Sequence, residues 1–207
     1  MYVPPAFRSD DPVLAWQLVE DIRLGCLITA GGSLMASHLP FMVERGPPPV
    51  LVGHLARANP QWKELDAAPV LVNFLGPNTH ISPSWYTTSP RAPTWNYVAV
   101  QIRGRARVTQ DRERLRQMVL DLSALMEPDG SSWEAAKLDS AYVDKLLPGI
   151  VGFTIEVDHV DVQLRLSQQN NADDQTRVRA SLNAGTLRER QVAETMARYL
   201  DRQSGPA

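Results

Sequence analysis

The strongest constraint on this chain is a period of two. Between Ile150 and Val162, Val151, Phe153, Ile155 and Val157 fall on one side, and Thr154, Glu156 and Asp158 on the other; Leu164 and Leu166 continue the pattern. An extended strand sorts side chains this way. The stretch from Trp95 to Val108 does the same, with Val98, Val100 and Ile102 opposite Ala99, Gln101 and Arg103. Shorter apolar runs predict further strands: Gly25 to Ala30, a Gly31-Gly32 hairpin turn, a return strand from Leu34 to Val43, then Val50 to Val52 and Val70 to Leu75. Gly76-Pro77-Asn78 reads as a turn, with another strand starting at Thr79. Sixteen prolines punctuate these runs, which suits a β-rich fold with irregular connections. Pro40 predicts an edge or a bulge in the return strand, where a ligand can approach.

Helices are fewer. Ser9-Asp10-Asp11-Pro12 starts one, and Leu14, Leu18 and Ile22 give it an apolar stripe that ends near Arg23. Asp111 to Met126 is the clearest, with Leu115, Met118, Val119, Leu122, Leu125 and Met126 on one face. Ser140 is expected to cap a short helix through Leu147. After a polar stretch, Ser167 to Asp174, two more helices are expected, the second opened by a Thr186-x-x-Glu189 capping box. The expected class is α+β, with one domain over residues 1–170, a helical appendage over 171–207, and a frayed end at Ser204 to Ala207.

A net charge of −2 supplies no basic face for nucleic acid. The single cysteine, Cys26, lies in an apolar run and reads as a small buried hydrophobe, which excludes a disulfide framework. No signal pattern and no apolar run of spanning length is visible, so a soluble, cytoplasmic protein with no membrane partner is expected. Dinucleotide, phosphate-loop, zinc-protease and nucleophile-elbow motifs are all absent.

The stretch from Val50 to Lys63 carries the chemistry. Its apolar run ends at Gly53, delivering His54 to a strand end. Asn59-Pro60 then reads as a helix start, with Arg57, Trp62 and Lys63 around it. Such a site can hold a flat, anionic ligand. Of the four histidines, His80 and His159 read as structural or surface residues, whereas His38 and His54 lie near the ends of neighbouring strands. No second histidine stands at metal-pair spacing, yet one imidazole suffices for iron when a macrocycle supplies the other ligands. Trp85-Tyr86 and Trp95-Tyr97 bracket a polar loop, Thr87 to Pro93, expected to be mobile and to cover a pocket mouth.

Five strings, in order along the chain, resemble the PaiB family of small split-barrel proteins. They are Ala36-Ser37-His38-Leu39-Pro40; the run from Gly53 to Lys63; Ile81-Ser82-Pro83-Ser84-Trp85-Tyr86; Pro93 to Val100; and Gly149-Ile150-Val151-Gly152. The resemblance implies a split β-barrel of the pyridoxamine-phosphate-oxidase type that binds FMN. It also implies a homodimer with cofactor sites between subunits. Two functions share the family name. Many members are FMN-binding negative transcriptional regulators; a divergent branch, the piperazate synthases, binds heme b and closes N5-hydroxy-L-ornithine into L-piperazic acid.

One departure bears on the choice. The family pattern Lys-Leu-Ser-Gln-Asn-Arg reads here Arg165-Leu166-Ser167-Gln168-Gln169-Asn170, with the terminal cation lost. That favours the heme branch, with an FMN-binding regulator or an FMN-dependent oxidoreductase as alternatives. The resemblance then implies His54 as iron ligand, and Arg57 and Lys63 as further catalytic residues that meet heme propionates or the substrate carboxylate. It also carries over Ser37, His38, Asn59, Trp62, Trp85, Tyr86, Trp95, Asn96, Ser167 and Gln168 as cofactor-binding residues. The partner expected besides a second copy is a small-molecule substrate, with no direct nucleic-acid contact.

Overall fold

A computed structural model describes residues 1–200; the expected fraying of Ser204 to Ala207 lies outside the described residues. Seven strands form one sheet: β1 (Leu24–Ala30), β2 (Leu34–Pro40), β3 (Met42–Glu44), β4 (Val50–Ala56), β5 (Pro69–Ile81), β6 (Thr94–Thr109) and β7 (Ile150–Arg165). Their order is β2-β1-β5-β6-β7-β4-β3. Five helices accompany them: α1 (Pro12–Ile22), α2 (Arg112–Met126), α3 (Ser140–Leu146), α4 (Ala172–Asn183) and α5 (Leu187–Leu200). The fold is a β-rich α+β split barrel.

Contacts group the chain into two interleaved units. One comprises Val19–Phe74 and Ile102–Val160. Its core centres on Phe41, Phe74 and Phe153, all nearly solvent-free. Phe41 meets the other two edge-to-face at 5.4 and 6.0 Å. A second apolar layer lies between β4 and the helices, joining Val52 and Met42 to Leu115, Met118, Leu122, Val143 and Leu147. The Asp111 carboxylate accepts from the Arg114 amide and caps α2. The other unit comprises Met1–Leu18, Leu75–Gln101 and the chain from Asp161 onward. In it α4 and α5 pack as a pair, and the Thr186–Glu189 box forms, with Glu189 Oε2 accepting from the Thr186 amide at 2.7 Å.

Four local expectations are corrected. The return strand does not run unbroken to Val43: it stops at Pro40, and Phe41 turns inward while its amide donates to Arg23 O at 2.9 Å. Gly76-Pro77-Asn78 is not a turn, because β5 continues through it. The β1–β5 register covers only Leu71, Val72 and Asn73 on β5, so Pro77 lies beyond those pairs, where its missing N–H is tolerated. Asp139, not Ser140, caps α3, accepting from the Ala141 amide. Cys26 is half-buried rather than buried, because it lies on the face of β1 opposite to the one that Gly25 and Leu27 turn to the core.

Candidate functional site

Strand β4 does not end at Gly53 but runs on to Ala56, so His54 sits inside the strand, opposite Gly152 of β7. Alternation places Leu51, Gly53 and Leu55 on the buried aromatic side, and puts His54 on the face of Val52, toward the helical layer. Gly53 has its own reason to be glycine: a Cβ there would lie 2.8 Å from the Phe153 ring. Close approach to a ligand is not what requires it. Across from it, Gly152 has to be bare because the helical layer already fills that position: a Cβ there would lie 2.8 Å from Leu115 and 2.9 Å from Met118. Among the described residues no group hydrogen-bonds the His54 ring, and burial lowers its pKa. The imidazole is thus neutral, half-buried and free to bind at neutral pH.

Beyond β4 the chain forms the short helix expected at Asn59-Pro60, a 3₁₀ helix over Pro60–Glu64. Asn59 caps it, accepting from the Gln61 amide at 3.0 Å and donating to Ser37 Oγ at 2.9 Å. Gln61, which lies in the family string but is not singled out there as a site residue, is wholly buried and donates to Leu27 O at 3.1 Å. Trp62 donates its indole N–H to Arg57 O at 2.9 Å. The Arg57 guanidinium is largely committed: it donates to Pro148 O (2.7 Å), Gln110 Oε1 (2.6 Å) and Ile150 O (2.9 Å). It therefore ties the end of β4 to the start of β7 and keeps two of its five N–H donors in reserve. Beside it lies a cavity of about 180 Å³, lined by Arg57, Gln110, Arg112, Leu115, Asp144, Leu147 and Pro148. Lys63 is exposed, and His38 is exposed on β2 directly across from Cys26.

The remaining candidates belong to the other unit. Trp85 and Tyr86 are half-buried and Trp95 is exposed, with the Trp95 indole donating to Asn78 Oδ1 at 3.3 Å. His80 stacks edge-on against Trp95 at 6.2 Å. Asn96 is buried and exchanges hydrogen bonds with Ser167: its Nδ2 donates to Ser167 Oγ at 3.0 Å, and that hydroxyl donates to Asn96 Oδ1 at 3.2 Å. Ser167 holds a left-handed backbone, φ 68°, at the end of β7. Gln168 Oε1 accepts from the Leu166 amide at 2.8 Å, and its Nε2 donates to Ala6 O at 3.1 Å. These three side chains fasten the chain where β7 ends. The loop Thr87 to Pro93 is clasped rather than loose: the Asp174 carboxylate accepts from Thr87, Thr88 and Arg91. Those donors hold the pKa of Asp174 down at about 2, the Thr87 hydroxyl and amide contributing most. In sequence Asp174 is one acid in a polar run; nothing there marks it.

Among the described residues no three His, Cys, Asp or Glu side chains gather as a metal cluster, and no helix is long and apolar enough to cross a membrane. Residues 1–159 match the family described as "Putative FMN-binding domain". A Bacillus subtilis (strain 168) protein named Protease synthase and sporulation protein PAI 2 is 32% identical over 98% of this chain and 100% of its own. An uncharacterized protein of Emericella nidulans is 30% identical over 90% of this chain and 92% of its own. The flavocytochrome Anf3 from Azotobacter vinelandii shares the fold at TM-score 0.62 and 14% identity, over 82% of this chain and 75% of that one. The FAD and heme binding protein from Mycobacterium smegmatis does so at TM-score 0.61 and 18% identity, over 82% and 78%. With the family pattern extending across both units and its strings on β2, β4 and β6, the chain belongs to the PaiB-type FMN-binding split-barrel family.

Proposed function

We propose that this chain is a heme-binding member of its family that forms the N–N bond of L-piperazic acid from N5-hydroxy-L-ornithine. The observation that carries the reading is the state of His54: an imidazole fixed by strand pairing, neutral through burial, and without a hydrogen-bond partner among the described residues. Such an imidazole has the chemistry to ligate a heme iron. The names of two fold neighbours, a flavocytochrome and an FAD and heme binding protein, are consistent with a barrel of this type accommodating heme.

When bound, heme supplies a Lewis-acidic iron for the N–O group of the hydroxylamine. His54 is the residue that would hold the iron. Arg57 acts as a positioning residue, since its hydrogen bonds to Pro148 O and Ile150 O keep β4 and β7 in register at His54. Lys63 and the spare donors of Arg57 are the cations for propionates or the substrate carboxylate. In the unit that carries His54, Trp62 is the aromatic candidate for cofactor contact and Ser37, His38 and Asn59 are the polar ones; in the other unit the candidates are Trp85, Tyr86 and Trp95, with Asn96, Ser167 and Gln168 fixing the backbone where β7 ends. In the reaction the α-amine bonds to N5, the N–O bond breaks and water leaves, with no net redox change. Holding the two nitrogens together is the pocket's main task.

A second reading, an FMN-binding regulator or oxidoreductase, is favoured by the family match itself. There the same cations take the phosphate. Either form works as a homodimer. The outer face of β1 and β2 leaves Leu24 and Leu34 56% and 80% exposed, and a second copy would cover them. The visible spectrum of the purified protein decides between cofactors: an intense Soret band is expected, and twin flavin bands alone defeat the heme reading. His54→Ala is expected to lose the Soret band and cyclisation together with the fold retained, and His38→Ala to keep the heme. The reverse pattern means the ligand is misassigned.

A further inference from the structure

One carboxylate closes the segment after Trp85 onto the start of α4. Asp174 is completely buried, and five donors converge on it. The Thr87 amide and hydroxyl reach Oδ1 at 2.7 and 2.6 Å. Thr88 Oγ1, Arg91 Nη2 and Asn171 Nδ2 reach Oδ2 at 3.0, 2.8 and 3.4 Å. Arg91 also donates through Nε to Thr88 Oγ1 at 2.9 Å, and its guanidinium lies 5.0 Å from the centre of the Tyr86 ring. From α4, Arg177 Nε donates to Trp85 O at 3.2 Å. Residues 85 to 91 are thus fastened at both ends to one helix.

A buried carboxylate is a poor way to gain stability, because desolvation offsets most of what its partners return. It is a good way to fix one conformation, because each donor has a single acceptor geometry to satisfy. Almost all the donors here come from an exposed loop, so the segment so fixed is the one carrying Trp85 and Tyr86.

We propose that Asp174 is a positioning residue: it clasps residues 85–91 onto α4 and sets the Trp85 and Tyr86 rings for contact with the prosthetic group. The ring contact rests on the function proposed above; the clasp rests on the hydrogen bonds alone. An amide at this position presents a donor where only donors arrive, so Asp174→Asn opens the clasp while leaving nearly the same volume. Thr88→Val removes one hydroxyl and is the milder variant.

The test uses the full chain as purified with its cofactor, followed by hydrogen exchange and by cofactor transfer to an excess of an apoprotein acceptor. Asp174→Asn is expected to speed amide exchange in residues 85–92 about tenfold or more, with β4 amides unchanged. It is also expected to speed cofactor release about tenfold without moving the absorption maximum, and Thr88→Val to shift both in the same direction by less. Unchanged loop exchange overturns the clasp. Faster loop exchange with unchanged cofactor release overturns the positioning role. If Asp174→Asn does not fold, Thr88→Val decides both points. A protein carrying neither heme nor flavin defeats the function proposed above, and the exchange measurement still decides the clasp.

Discussion

His54 carries a titratable ring in a half-buried position, and burial pulls its pKa below the ordinary 6.5. The folded protein then binds fewer protons than the unfolded chain once pH drops below that value. The ring's contribution to stability is complete above pH 6.5 and is lost as pH falls through the lowered folded pKa. Denaturant melts between pH 8 and 5 are expected to show a shallower acid loss for His54→Gln than for the parent; identical slopes would sink this. Its neighbour Gly53 is held to glycine by the Phe153 ring, 2.8 Å from where a Cβ would sit. That ring is solvent-free and packs on Phe41, so it has little room to yield. Gly53→Ala is expected to cost about 1–3 kcal/mol, the usual range for overpacking a filled core, read from urea unfolding midpoints. The Gly53-His54 pair stood out in the sequence. The reason for the glycine did not, because Phe153 lies a hundred positions away and reaches Gly53 only through the β4–β7 register.

Single elements respond to their ends. Helix α2 is capped by Asp111 at 2.8 Å to the Arg114 amide, with Glu113 in its first turn. Asp111→Ala is expected to cost about 1 kcal/mol, as lost caps do; a Tm unchanged from the parent would refute it. The clasp between the 87–93 loop and α4 has an acid limit. Asp174 is held at about 2, against an ordinary 3.8, so the stability it contributes is present above pH 4 and lost as pH falls toward 2. The charged groups around it are Arg91 on the loop and Asp173 and Arg177 on α4. Proteolysis of the loop is expected to become faster between pH 4 and 2 in the parent, and to depend less on pH in Asp174→Asn. A polar, proline-bearing loop between two aromatic pairs looks mobile because composition reports exposure. The acceptor that orders it comes from a helix more than eighty residues further on.

For the whole molecule, the exposed apolar face of β1 and β2 predicts association. Light scattering at micromolar concentration is expected to give about twice the 23.0 kDa chain mass, and a species of one chain mass alone would rule the dimer out. The period of two in β6 and β7, the apolar stripe of α2 and the Thr186–Glu189 box are local patterns, so the sequence determined those elements and their covered faces by itself. The family strings determined the split barrel in the same way. Tertiary structure alone decided the rest. It carried β5 through Gly76-Pro77-Asn78, extended β4 past His54, bound Arg57 to backbone carbonyls and set Asp174 beneath a surface loop. Each of these depends on which strand or helix supplies the missing hydrogen-bond partner. That partner lies far away in the chain, where no local propensity can register it.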